Sequence, residues 1–112
     1  MQFFVDEKQR SASQSTCYLE FQRGHFSEQF WLANSINISG ELWDKYHLSN
    51  LIRSVVKNFD YYGITEVTEK QWNEIILSGR ESGALGYNIL KEAESWVNEC
   101  FKEYDVFTIA GI

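Results

Sequence analysis

"VTEKQW", Val67 to Trp72, lies inside the stretch "YYGITEVTEKQWNEII" (residues 61–76) and marks where a helix starts. The Thr68 hydroxyl can accept a hydrogen bond from a first-turn amide, Gln71 can reach back to the cap, and Val67 can pack on Trp72 as a hydrophobic staple. The spacing predicts a helix that begins at Thr68, turns Trp72, Ile75 and Ile76 inward, and stops near "SGRESG" (78–83), where glycines and serines predict a loop. The motif fixes a boundary and no function, because capping boxes begin helices in proteins of every kind.

Toward the N-terminus, Leu48, Leu51, Ile52, Val55, Val56 and Phe59 follow the i, i+3, i+4, i+7 pattern of a core helix. Before them the period falls to two. "QFFVDE" (2–7) reads as a short strand, "KQRSASQS" (8–15) as a polar turn region, and "TCYLEFQ" (16–22) as a second strand with Cys17, Leu19 and Phe21 on one face. "QFWLANSINIS" (29–39) puts Phe30, Leu32, Ile36 and Ile38 at even spacing, a third strand ending at Gly40. Three strands in succession predict an antiparallel meander.

Toward the C-terminus, a helix from about Leu85 to Tyr104 is expected to bury Ile89, Ala93, Trp96, Val97, Cys100 and Tyr104. "DVFTIAGI" (105–112) reads as a final strand, with Phe107 and Ile109 on one side and Val106, Thr108 and Ala110 on the other. The expected fold is α+β: one domain over residues 1–112, with a small, mainly antiparallel sheet made of the N-terminal meander plus the C-terminal strand, and about three helices packed on one face.

With 112 residues, 44% hydrophobic and 16% aromatic, the chain is large enough to bury one core without metals or disulfides. No apolar run approaches the length of a membrane span, and "MQFFVDEKQR" lacks the basic start and long apolar core of a signal peptide, so a cytoplasmic protein is expected. Cys17 and Cys100 have no metal-ligand or redox spacing and are expected to be a reduced, buried pair. A net charge of −6 repels phosphate backbones and argues against direct nucleic-acid binding; a basic partner fits better. The excess is uneven: residues 1–59 hold six acidic and six basic residues, residues 60–105 ten acidic and four basic.

Reaction chemistry has little support. His25 and His47 are the only histidines, and neither has a second ligand at a metal-site spacing, so no metal or cofactor is expected. No nucleophile elbow or phosphate cradle occurs, "SGRESGALG" (78–86) matching neither glycine-rich fingerprint. All four tryptophans fit a core; Trp43 in "SGELWDKYH" (39–47) has the weakest periodic context, and Trp43 or the alternating-face Trp31 is the choice if one lines a site. An enzyme or ligand-binding alternative would use a pocket between the sheet and the loops "RGHFSE" (23–28) and "SGELWDKYH", with His25, Trp43, Asp44 and His47 as its residues.

The acids are more informative. On one continuous helix Glu92, Glu99 and Glu103 fall along an edge beside Trp96, at spacings of seven and four. Glu99 and Glu103 are a like-charge i, i+4 pair and, with Asp105, lie where the helix dipole disfavours negative charge, each effect costing roughly 0.2–1 kcal/mol. Either Lys102 and solvent screen this cost, or the stripe joins Glu66, Glu69 and Glu74 in a patch that attracts a positively charged protein.

The "YYGITEVTEKQWNEII" segment, the late tryptophan-bearing acidic helix and "EYDVFTIAGI" (103–112) together resemble small bacterial immunity proteins of contact-dependent growth inhibition and related polymorphic-toxin systems. The likeness covers mainly residues 60–112. It implies a cytoplasmic inhibitor that binds a cognate toxin domain, often a basic nuclease, and occludes its active site or substrate surface without catalysis. The residues expected at such a contact are Glu66, Glu69, Glu74, Glu92, Trp96, Glu99, Glu103 and Asp105.

Overall fold

In the computed structural model, which describes residues 1–112, the Thr68 cap joins a strand directly to a helix. The chain runs β1 (Val5–Asp6), α1 (Glu7–Ala12), β2 (Tyr18–Arg23), β3 (Ile36–Ser39), α2 (Gly40–Lys45), α3 (Leu48–Arg53), β4 (Ile64–Thr68), α4 (Glu69–Ser82), α5 (Tyr87–Glu92), α6 (Glu94–Phe101) and β5 (Val106–Ala110). The fold is α+β, with one five-stranded sheet in the order β1-β3-β2-β5-β4 and every neighbouring pair antiparallel. No helix is long and apolar enough to cross a membrane.

The expected capping box is present. Gln71 N–H donates to Thr68 Oγ1 at 3.2 Å, and Thr68 N–H donates to Gln71 Oε1 at 2.9 Å. Val67 and Trp72, the two ends of the staple, are both buried in the core. The same device occurs again at "DEKQ" (6–9): Gln9 N–H donates to Asp6 Oδ1 at 2.8 Å and Asp6 N–H to Gln9 Oε1 at 3.0 Å. This second box turns part of the expected polar turn into α1 and cuts the first strand to two residues. β1 pairs with the outer side of β3, Val5 opposite Asn37, so the expected meander is replaced by the order β1-β3-β2.

The third strand is shorter than its alternation suggested, with residues 24–35 forming a loop. "ITEVT" (64–68), not anticipated as a strand, alternates exposed and buried residues and forms the sheet edge. The expected C-terminal strand lies inside the sheet, between β2 and β4, with Ile109 opposite Phe21 and Phe107 opposite Val67. Phe107 meets the rings of Phe21, Trp72, Trp96 and Phe101 at centroid distances of 5.1 to 6.0 Å. Such aromatic pairs each add about 0.5–1.5 kcal/mol beyond burial.

The helices number six rather than about three, and three further boundaries differ from expectation. The expected core helix stops at Arg53, and Val56 and Phe59 reach the core from the turns that follow it. α4 continues through "SGRES", where Gly79 lies so close to Leu51 that a Cβ there would be 3.3 Å from its methyl, and the helix ends at Gly83, whose φ of 65° is the left-handed cap glycine adopts without strain. The last helix is two, with Ala93 as the break between α5 and α6, and Tyr104 lies beyond it, exposed. The cysteines are free but are not a buried pair: Cys17 is exposed, while burial raises the Cys100 thiol above its ordinary value.

Candidate functional site

The sheet has one apolar face, carrying Leu19, Phe21, Ile36, Ile38, Phe107 and Ile109 toward the helices, and a second face carrying Glu20, Gln22, Asn37 and Thr108. Glu20 is fully buried there. Its Oε1 accepts from Trp31 N–H and Gln22 Nε2, both at 2.9 Å, and its Oε2 from Leu32 N–H at 2.8 Å and Ser35 Oγ at 2.6 Å. Gln22 Nε2 also donates to the Gln29 carbonyl at 2.8 Å. One carboxylate thereby organises the loop over the sheet. Trp31 sits at φ 65°, an uncommon conformation for a bulky residue, held by Glu20 on one side and by the Arg10 guanidinium 4.0 Å from its ring centroid on the other.

The start of this loop is carried toward the sheet edge. Thr108 Oγ1 donates to the Gly24 carbonyl at 2.8 Å, and Gly24, at φ 74°, lies so close beneath Tyr104 that a Cβ would approach its ring to 2.7 Å. The next residue, His25, pairs through Nδ1 with Glu66 on β4. That hydrogen bond, then the charges of Glu66 and Asp105, raises His25 above the ordinary 6.5. The pair's contribution to stability is thus fully present below the ordinary imidazole value and is lost as pH rises through the folded-state value. By NMR titration His25 is expected to lose its proton above the free-imidazole range and to return to it in Glu66→Gln; the same midpoint in both proteins would contradict the pairing.

The eight expected contact residues divide. Glu66, Glu69, Glu74, Glu99, Glu103 and Asp105 are exposed. Glu69 and Glu74 flank a shallow depression of about 370 Å³ with Lys70, Asn73 and Leu77, and Glu74, Leu77, Ser78 and Glu81 continue along the same stripe of α4. Leu77 is 42% exposed. Leu77 and Glu81 were missed, although their spacing of three and seven from Glu74 places them on one helix face. Glu69, Glu74 and Glu81 have no ion-pair partner.

The expected stripe on the last helix does not exist as drawn, because the break at Ala93 and the end of α6 at Phe101 put Glu92, Glu99 and Glu103 on different segments. Glu92 holds the N-terminal segment: its Oε2 accepts from Gln2 N–H at 2.9 Å and its Oε1 from Phe3 and Phe4 N–H, both at 2.8 Å. Trp96 donates from Nε1 to the Asn34 carbonyl at 2.9 Å and packs on Phe21 and Phe107. Glu99 is paired with Lys102 at 2.8 Å, which lowers its carboxyl below the ordinary value. Glu92→Ala is expected to cost about 1–3 kcal/mol in denaturant unfolding by stranding three amides; an unchanged midpoint would show that solvent replaces the carboxylate freely.

The alternative pocket does not assemble from its four residues. Trp43 is fully buried, its Nε1 donating to Ser49 Oγ at 2.8 Å, and Tyr61 Oη donates to Asp44 at 3.4 Å. His25 is paired on β4. His47, with φ 54°, lines a cleft of about 460 Å³ with Tyr46, Asn50, Leu51, Ser78 and Leu85, among others, and no carboxylate lines that cleft to orient its imidazole. No three His, Cys, Asp or Glu side chains are grouped so as to hold a metal ion.

No protein-family model matches the chain, and neither the curated proteins nor the solved structures provide a match.

Proposed function

We propose that this protein is an immunity protein that binds a cognate, basic toxin domain, a nuclease by charge preference, and neutralises it by covering its active site or substrate surface. The observation that carries the reading is the exposed face of α4, where Glu69, Glu74 and Glu81 line the depressions that share Leu77 and none of the three is in an ion pair, with exposed Glu66 on the adjoining strand β4. Glu69 has a reason within the fold, since it lies in the first turn of α4 where the dipole favours a carboxylate. Glu81, in the last turn, has the opposite placement and no ion-pair partner, which suits a charge directed at another molecule. An exposed apolar side chain flanked by acids outside any ion pair suits a surface that attracts cations at long range and buries Leu77 on contact. The mechanism is stoichiometric and needs neither cofactor nor catalytic group.

The test is co-purification from the host, with the captured domain then assayed alone and in complex. A one-to-one complex whose association weakens with salt, and in which the toxic activity is lost, is the expected result; a captured partner that keeps its full activity would overturn the reading. The His47 cleft supports a second reading, since about 460 Å³ falls within the size of small-molecule sites. A retained small molecule seen by native mass spectrometry, with no protein partner, would favour it.

A further inference from the structure

β4 is the last strand on its side of the sheet, and its outer ladder is open. Gly111 N–H donates to the Gly63 carbonyl at 2.7 Å, and hydrogen-bonded pairs alternate along an antiparallel ladder. The register therefore turns Thr65 and Val67 toward Ile109 and Phe107, and turns the N–H and C=O groups of Ile64 and Glu66 outward. Thr68 fits this alternation: its outward N–H is free to be capped by Gln71. Two consecutive outward residues leave up to four backbone bonds unmade, the pattern that accepts an added strand.

Two of the usual guards of such an edge are missing, for the chain has no proline and β4 has no lysine or arginine. Its only charge is Glu66, beside exposed Ile64 and with Asp105 close enough to act on the same His25. A second copy would bring β4 no cation to set against Glu66, whereas a basic segment would bring one. The geometry points to the outer edge of β4 as the docking line for an extended, basic segment of the partner, added as a sixth strand with a lysine or arginine beside Glu66 in competition with His25. This rests on the reading of the β4–α4 face as the partner surface and specifies how the contact is made.

The probe is a blocked hexapeptide alternating lysine and threonine, added at millimolar concentration to the full chain and followed by amide NMR and hydrogen exchange. At saturation the Ile64 and Glu66 amides are expected to exchange at least tenfold more slowly, and the His25 ring signals to move. The same peptide N-methylated at every backbone amide keeps its charge but cannot form the ladder, and should leave exchange unchanged. Glu66→Lys, at an exposed position, should lose the lysine peptide and gain its glutamate counterpart. Unchanged exchange at Ile64 and Glu66, equal effects from the methylated peptide, or protection that rises with protein concentration alone would each overturn strand addition. A toxin complex that forms while these amides stay unprotected would overturn the edge and leave the proposed function standing; a protected edge with no toxin complex would do the reverse.

Discussion

Glu20→Ala is expected to lower the unfolding free energy by more than about 3 kcal/mol, the range for removing one partner from a buried, charge-assisted network. The carboxylate is fully buried and accepts four hydrogen bonds, from Trp31 N–H, Leu32 N–H, Ser35 Oγ and Gln22 Nε2. Alanine leaves those donors facing a void. Two of the four are backbone amides of the loop that caps the sheet, and Trp31 loses one of the two contacts that hold it at φ 65°. Glu20→Gln keeps the volume but turns an amide NH₂ toward donors, so it is expected to recover only part of the loss. For a domain of this size the alanine variant should melt roughly 10 °C or more below wild type. Equilibrium urea unfolding checks the energy, and a loss under about 1 kcal/mol would mean that the loop is not held by Glu20.

The second large effect is on association. Glu66→Lys, Glu74→Lys and Glu81→Lys together are expected to slow binding of the basic partner about 10–100-fold at low salt and to flatten its dependence on ionic strength. All three side chains are exposed, and a lysine at position 81 suits the C-terminal turn of α4, so the fold should persist. The choice of residues follows from the structure. Reversing Glu92 would strip the anchor of Gln2, Phe3 and Phe4 and confuse instability with lost contact, and Glu99 is already paired with Lys102. Stopped-flow kinetics at several salt concentrations read the effect; equal rates for wild type and the triple variant would place the contact elsewhere.

The α+β class, the sheet's core positions Leu19, Phe21, Ile36, Ile38, Phe107 and Ile109 and the start of α4 were legible in the sequence because each rests on local periodicity or capping chemistry, whereas Cys17, Phe30 and Leu32, assigned to the same strands, lie outside them. The "DEKQ" box was as legible as "TEKQ", yet the serine-rich run after it reads as turn, and a six-residue helix offers too little periodicity to oppose that. Glu20 shows a deeper limit. In "TCYLEFQ" an acid opposite Leu19 and Phe21 has the pattern of a solvated outer face, and only the return of residues 24–35 over the sheet buries it. The break at Ala93 was equally hidden, since alanine is a good helix former and nothing in the local spacing marks an end there. Of the candidate contact, Glu66, Glu69, Glu74, Glu99, Glu103 and Asp105 are exposed, while Glu92 and Trp96 bond to tertiary partners far away in sequence.

The central claim, that the β4–α4 face meets the partner, is tested most directly by amide chemical-shift mapping of the labelled protein in complex with its captured toxin domain. Shifts are expected along β4 and the Glu74–Leu77–Glu81 stripe of α4, with the His47 cleft unperturbed. Shifts confined to Tyr46–Asn50 and Leu85, with Ile64, Glu66 and Leu77 silent, would contradict the account and transfer the function to the cleft.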